Sequence, residues 1–437
     1  MRRPNPAIDL DSASSAWQKG AENAGRDWTC FDCKVVTPLY GGGVRAGEVD
    51  EGMPIRPSGI RGQLRFWWRR ACGPFASPAD MFRRETDIWG GIGGTGPSAS
   101  RVSVRVDQIT RLQIGDAFTY QEDQRRPGQF KTSPKEADWV EPYAVFPARG
   151  ELSRDKRSIE KAPHRLARSG LGFRLGVHLH KDLDAQQREE VHTALRWWAS
   201  FGGVGARTRR GLGAIHIRDL EPVSPAEVEA KRGQLCLRDA EKGAEEAWHK
   251  AVNRLKAFRQ ELHVGRNPPA LDSQSPAGRS LWPEADTIRE LSGHAYPDHA
   301  RRVVPVDGFP RAAFGLPVVF HFKDAPSKPE HRKGDLDPDD HILEPADRPQ
   351  NQKLDRMASP LVVRPYWTGK DWRPAALLLP GGEKALDVPL KFKDQGYRPE
   401  PWPSNPGERA RLAAQIKPMA GRGDDPLTAF MTYFQED

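Results

Sequence analysis

The chain has few cysteines and no long hydrophobic run, and both absences narrow the kinds of protein that it can be. Four cysteines in 437 residues are too few for a disulfide framework and are typical of a reducing compartment. No run of about 18 apolar residues occurs, so the sequence offers no candidate membrane-spanning helix. No hydrophobic signal core follows the first residues, Met1 to Asn5. We therefore expect a cytoplasmic protein without a membrane partner.

The cysteines also give little support for a metal site, although Cys30 and Cys33 form a CxxC pair. No second pair follows at zinc-finger spacing, and Cys72 and Cys236 stand alone in the sequence. The residues around the pair alternate between apolar and polar, which indicates a β-strand. We predict that these cysteines pack in a strand and that the protein holds no metal and no cofactor.

Carboxylates are absent from Arg56 to Ala79, a stretch with five arginines. At about 100° per residue, a helix over residues 58–72 has an apolar stripe beside a stripe of arginines, namely Arg61, Arg65 and Arg69. Ser58 can cap this helix, whose first N–H groups would suit a phosphate. One interpretation is an ordinary solvated basic face. The lack of local carboxylates favours a second interpretation, a surface that binds a polyanion.

The overall charge is consistent with a nucleic-acid partner. Lys and Arg total 67 against 59 Asp and Glu, which gives a formal net charge of +8. Most of these cations are arginine, whose planar guanidinium binds phosphate in a bidentate manner. The charge favours nucleic acid but does not establish it alone.

Hydrophobic periodicity predicts an α+β protein whose first half has the element order βαββαβ, that of the ferredoxin-like unit. The predicted strands are about 29–36, 101–107, 172–180 and 213–218, and the predicted helices are 58–72 and 184–200. Alternation within the strands predicts one apolar sheet face and one basic face. The basic face would carry Lys34, Arg101, Arg105, Arg174, His178, His180, His216 and Arg218. Contact with RNA phosphates and ordinary solvent exposure or domain docking are both compatible with that face.

Two glycine-rich segments accompany these elements. Residues 201–213 combine Gly203 and Gly205 with arginines at 207, 209 and 210. An earlier segment contains three consecutive glycines, Gly41, Gly42 and Gly43. Glycine lets a backbone approach a ligand closely, and clustered arginines supply phosphate contacts. We interpret both segments as parts of an RNA-binding surface.

Three motifs together resemble those of the RAMP superfamily of CRISPR-associated RNA-binding proteins. They are Thr37 to Gly43, the stretch Pro54 to Arg69 and the glycine-arginine loop. More narrowly, Ile60-Arg61-Gly62-x-Leu64-Arg65-Phe66-Trp67-Trp68-Arg69 is similar to the family of the first RAMP subunit of the type III-B effector, the Cmr complex. The similarity covers about residues 29–220 and returns at 308–317 and 359–361.

The resemblance implies two tandem ferredoxin-like domains, at 29–221 and 222–437, after an N-terminal extension over 1–28. It implies that the chain holds the 3′ part of a guide RNA and its duplex with target RNA, beside other Cmr subunits, in antiviral defence. Target cleavage would belong to another subunit, so the chain is not expected to be an enzyme. The residues expected to contact RNA are Gly41, Gly42, Gly43, Arg56, Ser58, Arg61, Arg65, Trp68, Arg69, Gly203, Gly205, Arg207, Arg209 and Arg210.

Two roles are open for Trp68. It could cover a terminal base or sugar of the RNA, or it could pack between the domains, and packing is favoured. The second half is less regular. Residues 221–265 are expected to be mainly helical, and residues 316–322, 361–365 and 375–379 suit strands. Residues 324–356 are rich in Pro, Lys, Asp and Glu, so we expect a flexible insertion there.

A competing hypothesis is a metal-independent endoribonuclease of the guide-processing kind found among RAMP relatives. Its general acid and base would come from four histidines, His164, His178, His180 and His216. Alternation of polar residues on a strand explains histidines there equally well, so binding is favoured over cleavage. A third hypothesis, an RNA chaperone unrelated to CRISPR, would bind RNA without a co-purifying guide.

Overall fold

The computed structural model describes residues 28–93, 96–267, 278–296, 299–322, 337–347, 353–393 and 396–437. Its strands are β1 (Trp28–Val35), β2 (Gly91–Gly93), β3 (Gly96–Ser98), β4 (Val102–Thr110), β5 (Ile114–Asp116), β6 (Phe118–Thr119), β7 (Lys135–Glu136), β8 (Glu151–Leu152), β9 (Ile159–Lys161), β10 (Arg165–Ala167), β11 (Gly172–Leu179), β12 (Ile215–Ile217), β13 (Gln234–Leu237), β14 (Val318–Phe320), β15 (His341–Pro345), β16 (Leu361–Trp367), β17 (Trp372–Leu378) and β18 (Leu390–Phe392). Its α-helices are α1 (Pro57–Ala71), α2 (Pro78–Trp89), α3 (Pro142–Val145), α4 (Ala185–Phe201), α5 (Pro225–Ala230), α6 (Ala244–Gln260), α7 (Glu284–Leu291), α8 (Pro406–Ala413) and α9 (Pro426–Gln435).

The first half has the predicted βαββαβ order, formed by β1, α1, β4, β11, α4 and β12. The four strands make one antiparallel sheet in the spatial order β12-β1-β11-β4. Alternate residues of β11, including Phe173, Leu175 and Val177, are buried against the helices. The prediction of an α+β ferredoxin-like unit with one apolar sheet face is therefore confirmed for this half.

The helix α1 forms for the reasons that its sequence suggests, but its first residue differs from the prediction. Its buried side chains recur at helical spacing and pack against α4, where Trp67 lies 6.2 Å from Trp197 between ring centroids. The helix begins at Pro57, because the first helical position needs no N–H donor. Arg56 occupies the N-cap position without a side-chain cap, so the capping role predicted for Ser58 was wrong.

The second half contains two separate three-stranded sheets among the described residues. One has the order β13-β17-β16 and the other β14-β15-β18. The helix α6 packs against β16 and β17. These sheets do not reproduce the four-stranded order of the first half, so a second ferredoxin-like domain stays a prediction.

Two sequence-based expectations for the second half were wrong in part. Residues 221–265 include the strand β13 between α5 and α6, and β13 pairs with β17. The expected flexible insertion 324–356 contains β15, in which Leu343 is fully buried and His341 is nearly so. The first three residues of this five-residue strand pair with β14 and the last three pair with β18, so it has a neighbouring strand on each side. Residues 324–336 and 348–352 of the insertion lie outside the described residues.

The two halves share their hydrophobic cores. Val362, Tyr366 and Leu377 of the second half pack in one cluster with α1 and α4. Arg364 is fully buried and donates hydrogen bonds to the main-chain oxygens of Ala199, Gly202 and Ile215 in the first half. These contacts position the end of α4, and hence the glycine-arginine loop, against the second half.

Candidate nucleic-acid interface

The glycine-arginine loop is held by its own chain. At Gly205, where φ is +77°, a Cβ atom would lie 2.5 Å from Leu39 Cδ1 and 2.6 Å from the Tyr40 carbonyl oxygen. The N–H of Ala206 donates to that same Tyr40 oxygen at 2.7 Å. The loop therefore needs glycine at 205 so that it can pack against the segment that follows Leu39.

The other predicted glycines also face their own chain. A Cβ atom on Gly42 would lie 3.5 Å from Gly205 Cα, and one on Gly203 would lie 2.6 Å from the Gly213 oxygen. Gly41 packs beside Ala206, and Gly43 beside the main chain of Glu48. The close approaches that the structure shows are thus within the protein, and contact of these glycines with RNA stays a prediction.

The three arginines of the loop have no carboxylate partner among the described residues. The Nε atom of Arg207 donates to the Ala144 oxygen at 2.5 Å, and Arg210 donates to the Arg209 oxygen at 3.5 Å. The Arg209 guanidinium lies 5.5 Å from the centre of the Phe66 ring. Main-chain oxygens and a π face leave the positive charge of these side chains uncompensated.

Burial shifts the ionisation of these side chains. Burial lowers the pKa of Arg210 to about 10. Tyr143 acts in the opposite direction and raises this pKa, whereas the neighbouring positive charge of Arg259 lowers it further. Burial also lowers the pKa of Arg209, with a further contribution from Arg70. The arginines remain charged near pH 7, but they are poorly solvated and lie close to like charges. An anion would relieve both conditions.

A cleft of about 1120 Å³ opens beside this loop. Its walls come from α1, the loop, the segment between β6 and β8, the end of α6, and the chain around Phe314 and Met357. Eight lining side chains are cationic: Arg149, Arg207, Arg209, Arg210, Lys256, Arg259, Arg266 and Arg356. Glu136 is the one carboxylate among the described residues that line it. The cleft is therefore strongly basic.

Aromatic side chains line the same cleft. Phe146 follows α3 and is 63% exposed, although it is a large apolar residue. Phe66 lies on the flank of α1 with the guanidinium of Arg70 at 5.4 Å from its ring centre. Tyr143 accepts a hydrogen bond from Arg259 at 2.8 Å through its hydroxyl. Cations and accessible rings together suit both the phosphates and the bases of a nucleic acid.

The predicted arginine stripe lies on the opposite flank of α1 and is largely neutralised. Glu85 of α2 is buried and accepts hydrogen bonds from Arg65 Nε at 2.6 Å and Arg69 Nη2 at 2.5 Å. Burial opposes the ionisation of Glu85, but the hydrogen bonds from Arg69 and Arg65 outweigh it and lower its pKa. The expectation that these two arginines lack a carboxylate partner was wrong, because the partner comes from the next helix.

The remaining predicted residues of α1 differ in exposure. Arg61 and Ser58 are exposed, and Arg61 has no ion-pair partner among the described residues. Arg56 donates to Asp50 at 3.3 Å. Trp68 is fully buried, and its Nε1 atom donates to Glu190 at 2.8 Å. Trp68 therefore packs in the core of the first half, beside Phe75, and its buried ring is not accessible to RNA, whereas packing between domains stays a prediction.

Sequence reasoning missed the cations that the second half and the β6–β8 segment contribute to the cleft. Lys256 and Arg259 lie three residues apart on α6, so their shared helix face could have been found from spacing. Arg149, Arg266 and Arg356 follow no periodic pattern, and only the tertiary fold brings them to the cleft.

The outward sheet face is less basic than predicted. Arg105 pairs with Asp107 at 3.0 Å, and Arg174 lies 3.9 Å from Asp32. His216 packs against both Trp367 and Trp372, with ring centroids 5.5 Å away in each case. Carboxylates and the β16–β17 hairpin therefore account for much of this face.

His178 and His180 are two residues apart at the end of β11, and the other two candidate histidines lie elsewhere in the fold. His178 pairs with Trp28 and His216 with Lys34, which puts them six residues apart along β1, about 20 Å at the rise of a strand. His180 lies 3.3 Å from Asp182 at the end of β11. His164 shares a 2.9 Å hydrogen bond with the Tyr40 hydroxyl.

Neither a cluster of metal-ligand side chains nor a membrane-spanning helix occurs in the part of the chain that the structure describes. Cys30 is exposed and Cys33 is buried, on opposite faces of β1. No group of three or more His, Cys, Asp or Glu side chains within that part could hold a metal ion. No described helix has the length and apolarity needed to cross a membrane.

Comparison with known proteins agrees with the sequence motifs. Residues 32–216 match the model of the RAMP superfamily, whereas no curated protein matches the chain. Cmr1 from Pyrococcus furiosus is a structural neighbour at 13% identity, with 83% of this chain and 97% of that chain covered and a TM-score of 0.40. A chain of the type III-B Cmr-beta complex bound to cognate target RNA is another, at 12% identity, with 84% and 94% covered and a TM-score of 0.38. The family match identifies residues 32–216 as a member of the RAMP superfamily, as the motifs predicted.

Proposed function

We propose that the chain is an RNA-binding RAMP subunit of a type III-B (Cmr) CRISPR ribonucleoprotein that acts in the cytoplasm in antiviral defence. In this proposal it holds the 3′ part of the guide RNA and its duplex with target RNA, next to other Cmr subunits. Its second half would be a diverged ferredoxin-like domain. The family match over residues 32–216 and the motif on α1 support the assignment.

The basic cleft is the observation that carries this proposal. Eight cations against one carboxylate line it, and three of those cations belong to the glycine-arginine loop of the RAMP domain. Arginines without carboxylate partners favour a phosphate backbone, and base pairing to the guide would supply the sequence specificity. Binding of this kind weakens as the salt concentration rises.

Substitution of cleft cations tests the proposal. The variant Arg209→Gln with Lys256→Gln and Arg266→Gln removes three charges that line the cleft. A matched control removes three exposed charges elsewhere, through Arg83→Gln, Arg154→Gln and Lys370→Gln. Each lost phosphate contact should reduce the slope of log affinity against log salt by about 0.7 for a single strand, so we expect a total reduction of about 2.

Affinity for labelled guide RNA would be measured by fluorescence anisotropy at several salt concentrations. Thermal unfolding would verify that both variants keep the wild-type fold. We expect the cleft variant to bind at least about tenfold more weakly than the control at low salt. Equal affinities and equal slopes for the two variants would contradict the proposal.

We also propose that the chain binds RNA without cleaving it. The separation of about 20 Å between His178 and His216 supports binding, because that pair is too far apart to act as general acid and base on one phosphodiester. The nearer pair, His178 and His180, is tested by experiment. Incubation of labelled repeat RNA with the protein in EDTA checks this. Discrete products that disappear with His164→Ala or His178→Ala would favour the alternative, a metal-independent guide-processing endoribonuclease.

A further inference from the structure

We propose that the cleft takes a single-stranded RNA segment of a few nucleotides and excludes base-paired RNA. The inference rests on the proposed function, because it specifies which form of RNA the basic cleft accepts. Three properties of the cleft support it: its volume, its accessible aromatic rings and the depth of its cations.

The volume of the cleft suits a short segment of one strand. About 1120 Å³ is slightly above the usual range for small-molecule clefts, about 300–1,000 Å³. That space holds a few nucleotides. Two paired strands would have to remain at the entrance, where they could not reach the walls.

The aromatic side chains of the cleft can stack on unpaired bases but not on the bases of a duplex. Phe146 is 63% exposed to solvent and lines the cleft, and Phe66 lies on the wall formed by α1. Splayed bases of a single strand stack on such rings, whereas a duplex keeps its bases stacked on one another. Leaving Phe146 exposed costs hydration free energy in the absence of a ligand, and stacking of a base would recover it.

The cations are arranged by depth. Arg266 and Arg356 are exposed where they border the cleft, whereas Arg207, Arg209 and Arg210 are partly buried. A phosphate must enter the cleft to reach the inner three, and the backbone of a single strand is flexible enough to do so. The guide–target duplex of the proposed function would then lie outside the cleft.

The test compares one RNA of about eight nucleotides as a single strand and as a blunt duplex with its complement. Fluorescence anisotropy at one salt concentration gives both affinities for the wild-type chain and for Phe146→Ala. The matched control is Phe82→Ala, since Phe82 is also exposed but lies on α2 away from the cleft. Phe146→Tyr serves as the conservative variant.

We expect the single strand to bind at least about tenfold more tightly than the duplex. Phe146→Ala should weaken single-strand binding by about 5- to 100-fold, the range for loss of one stacked base, and change duplex binding by less than about twofold. Phe146→Tyr should restore single-strand affinity, and Phe82→Ala should leave it unchanged.

Two results would overturn the inference in distinguishable ways. If the duplex binds as tightly as the single strand, or Phe146→Ala binds the single strand like wild type, the cleft does not select unpaired RNA and the proposed function stands. If neither RNA binds the wild-type chain more tightly than the Arg209, Lys256 and Arg266 variant, the proposed function fails as well.

Discussion

Single arginines in this chain differ in function according to whether a carboxylate lies within reach. Arg65 and Arg69 share the buried Glu85, and Arg196 pairs with Glu227 at 2.8 Å. Arg207 and Arg209 have only main-chain or aromatic neighbours as partners among the described residues. A count of charges cannot separate these classes, because the neutralising groups are distant in sequence. Arginines of the first class stabilise the fold, and those of the second are available to a ligand.

The pair Arg65 and Arg61 tests this distinction, since the two lie about one turn apart on α1. Arg65→Ala removes a hydrogen bond to a buried carboxylate and should lower the free energy of unfolding by about 2 kcal/mol. Arg61→Ala removes an exposed side chain and should change it by less than about 0.5 kcal/mol. Urea unfolding measures both values. Equal effects would show that Glu85 does not depend on Arg65.

His216 gives the chain a predictable response to acid. Burial lowers its pKa, and the positive charges of Lys34 and Arg218 lower it further. As pH falls below about 6.5, the unfolded chain takes up a proton at this position before the folded chain does, so the folded state loses stability. Arg364 adds to this shift, and Asp219 opposes it.

The loss of thermal stability between pH 7.5 and 5.5 should therefore be smaller in His216→Gln than in the wild-type chain. His192→Gln, at an exposed position of α4, is the matched control and should keep the wild-type loss. Calorimetric or fluorescence melts at both pH values give the comparison. An identical loss in His216→Gln and wild type would show that this histidine does not titrate differently on folding.

At the scale of secondary structure, the sequence predicted elements that are long and periodic. The helix α1 and the strand β11 each bury one face. The bounds of α1 differ from the predicted ones by one residue at each end, and β11 begins at the predicted residue and ends one residue earlier than predicted. β13 and β15 were missed because strands of four or five residues have too few positions to show a period. Their pairing with distant strands decides their conformation.

The candidate site was only partly predictable for the same reason. The glycine-arginine loop is local in sequence, so its arginines could be identified and do line the cleft. The stripe on α1 was assigned to the polyanion surface because Glu85 lies 20 residues beyond Arg65. Nothing in the sequence marked Phe146 and Arg149 as site residues. A single phenylalanine and a single arginine can be assigned to a binding site only when the fold shows the rest of the cleft beside them.

At the scale of the whole molecule, the boundary expected near residue 221 does not separate two independent cores. Tyr40 and Leu212 of the first half pack in one cluster with Trp248 and Phe430 of the second. Both halves also line the cleft. Because they share buried surface, the halves should unfold together in one cooperative transition.

Substitution of Arg364 tests whether the two halves stabilise each other. The buried Arg364 guanidinium donates to main-chain oxygens near the C-terminal end of α4, where the helix dipole is negative. Arg364→Met leaves these oxygens unpaired and should lower the free energy of unfolding by about 3 kcal/mol. Arg373→Met, on the adjacent strand, is the matched control. It removes an arginine that is 38% exposed and ion-pairs with Asp371, and it should lower the free energy of unfolding by less than about 1 kcal/mol.

Urea unfolding followed by tryptophan fluorescence and by circular dichroism measures both values, and the two probes should report one transition in the wild-type chain. Equal losses for the two variants, or separate transitions for the two probes, would show that the halves are not joined through this residue.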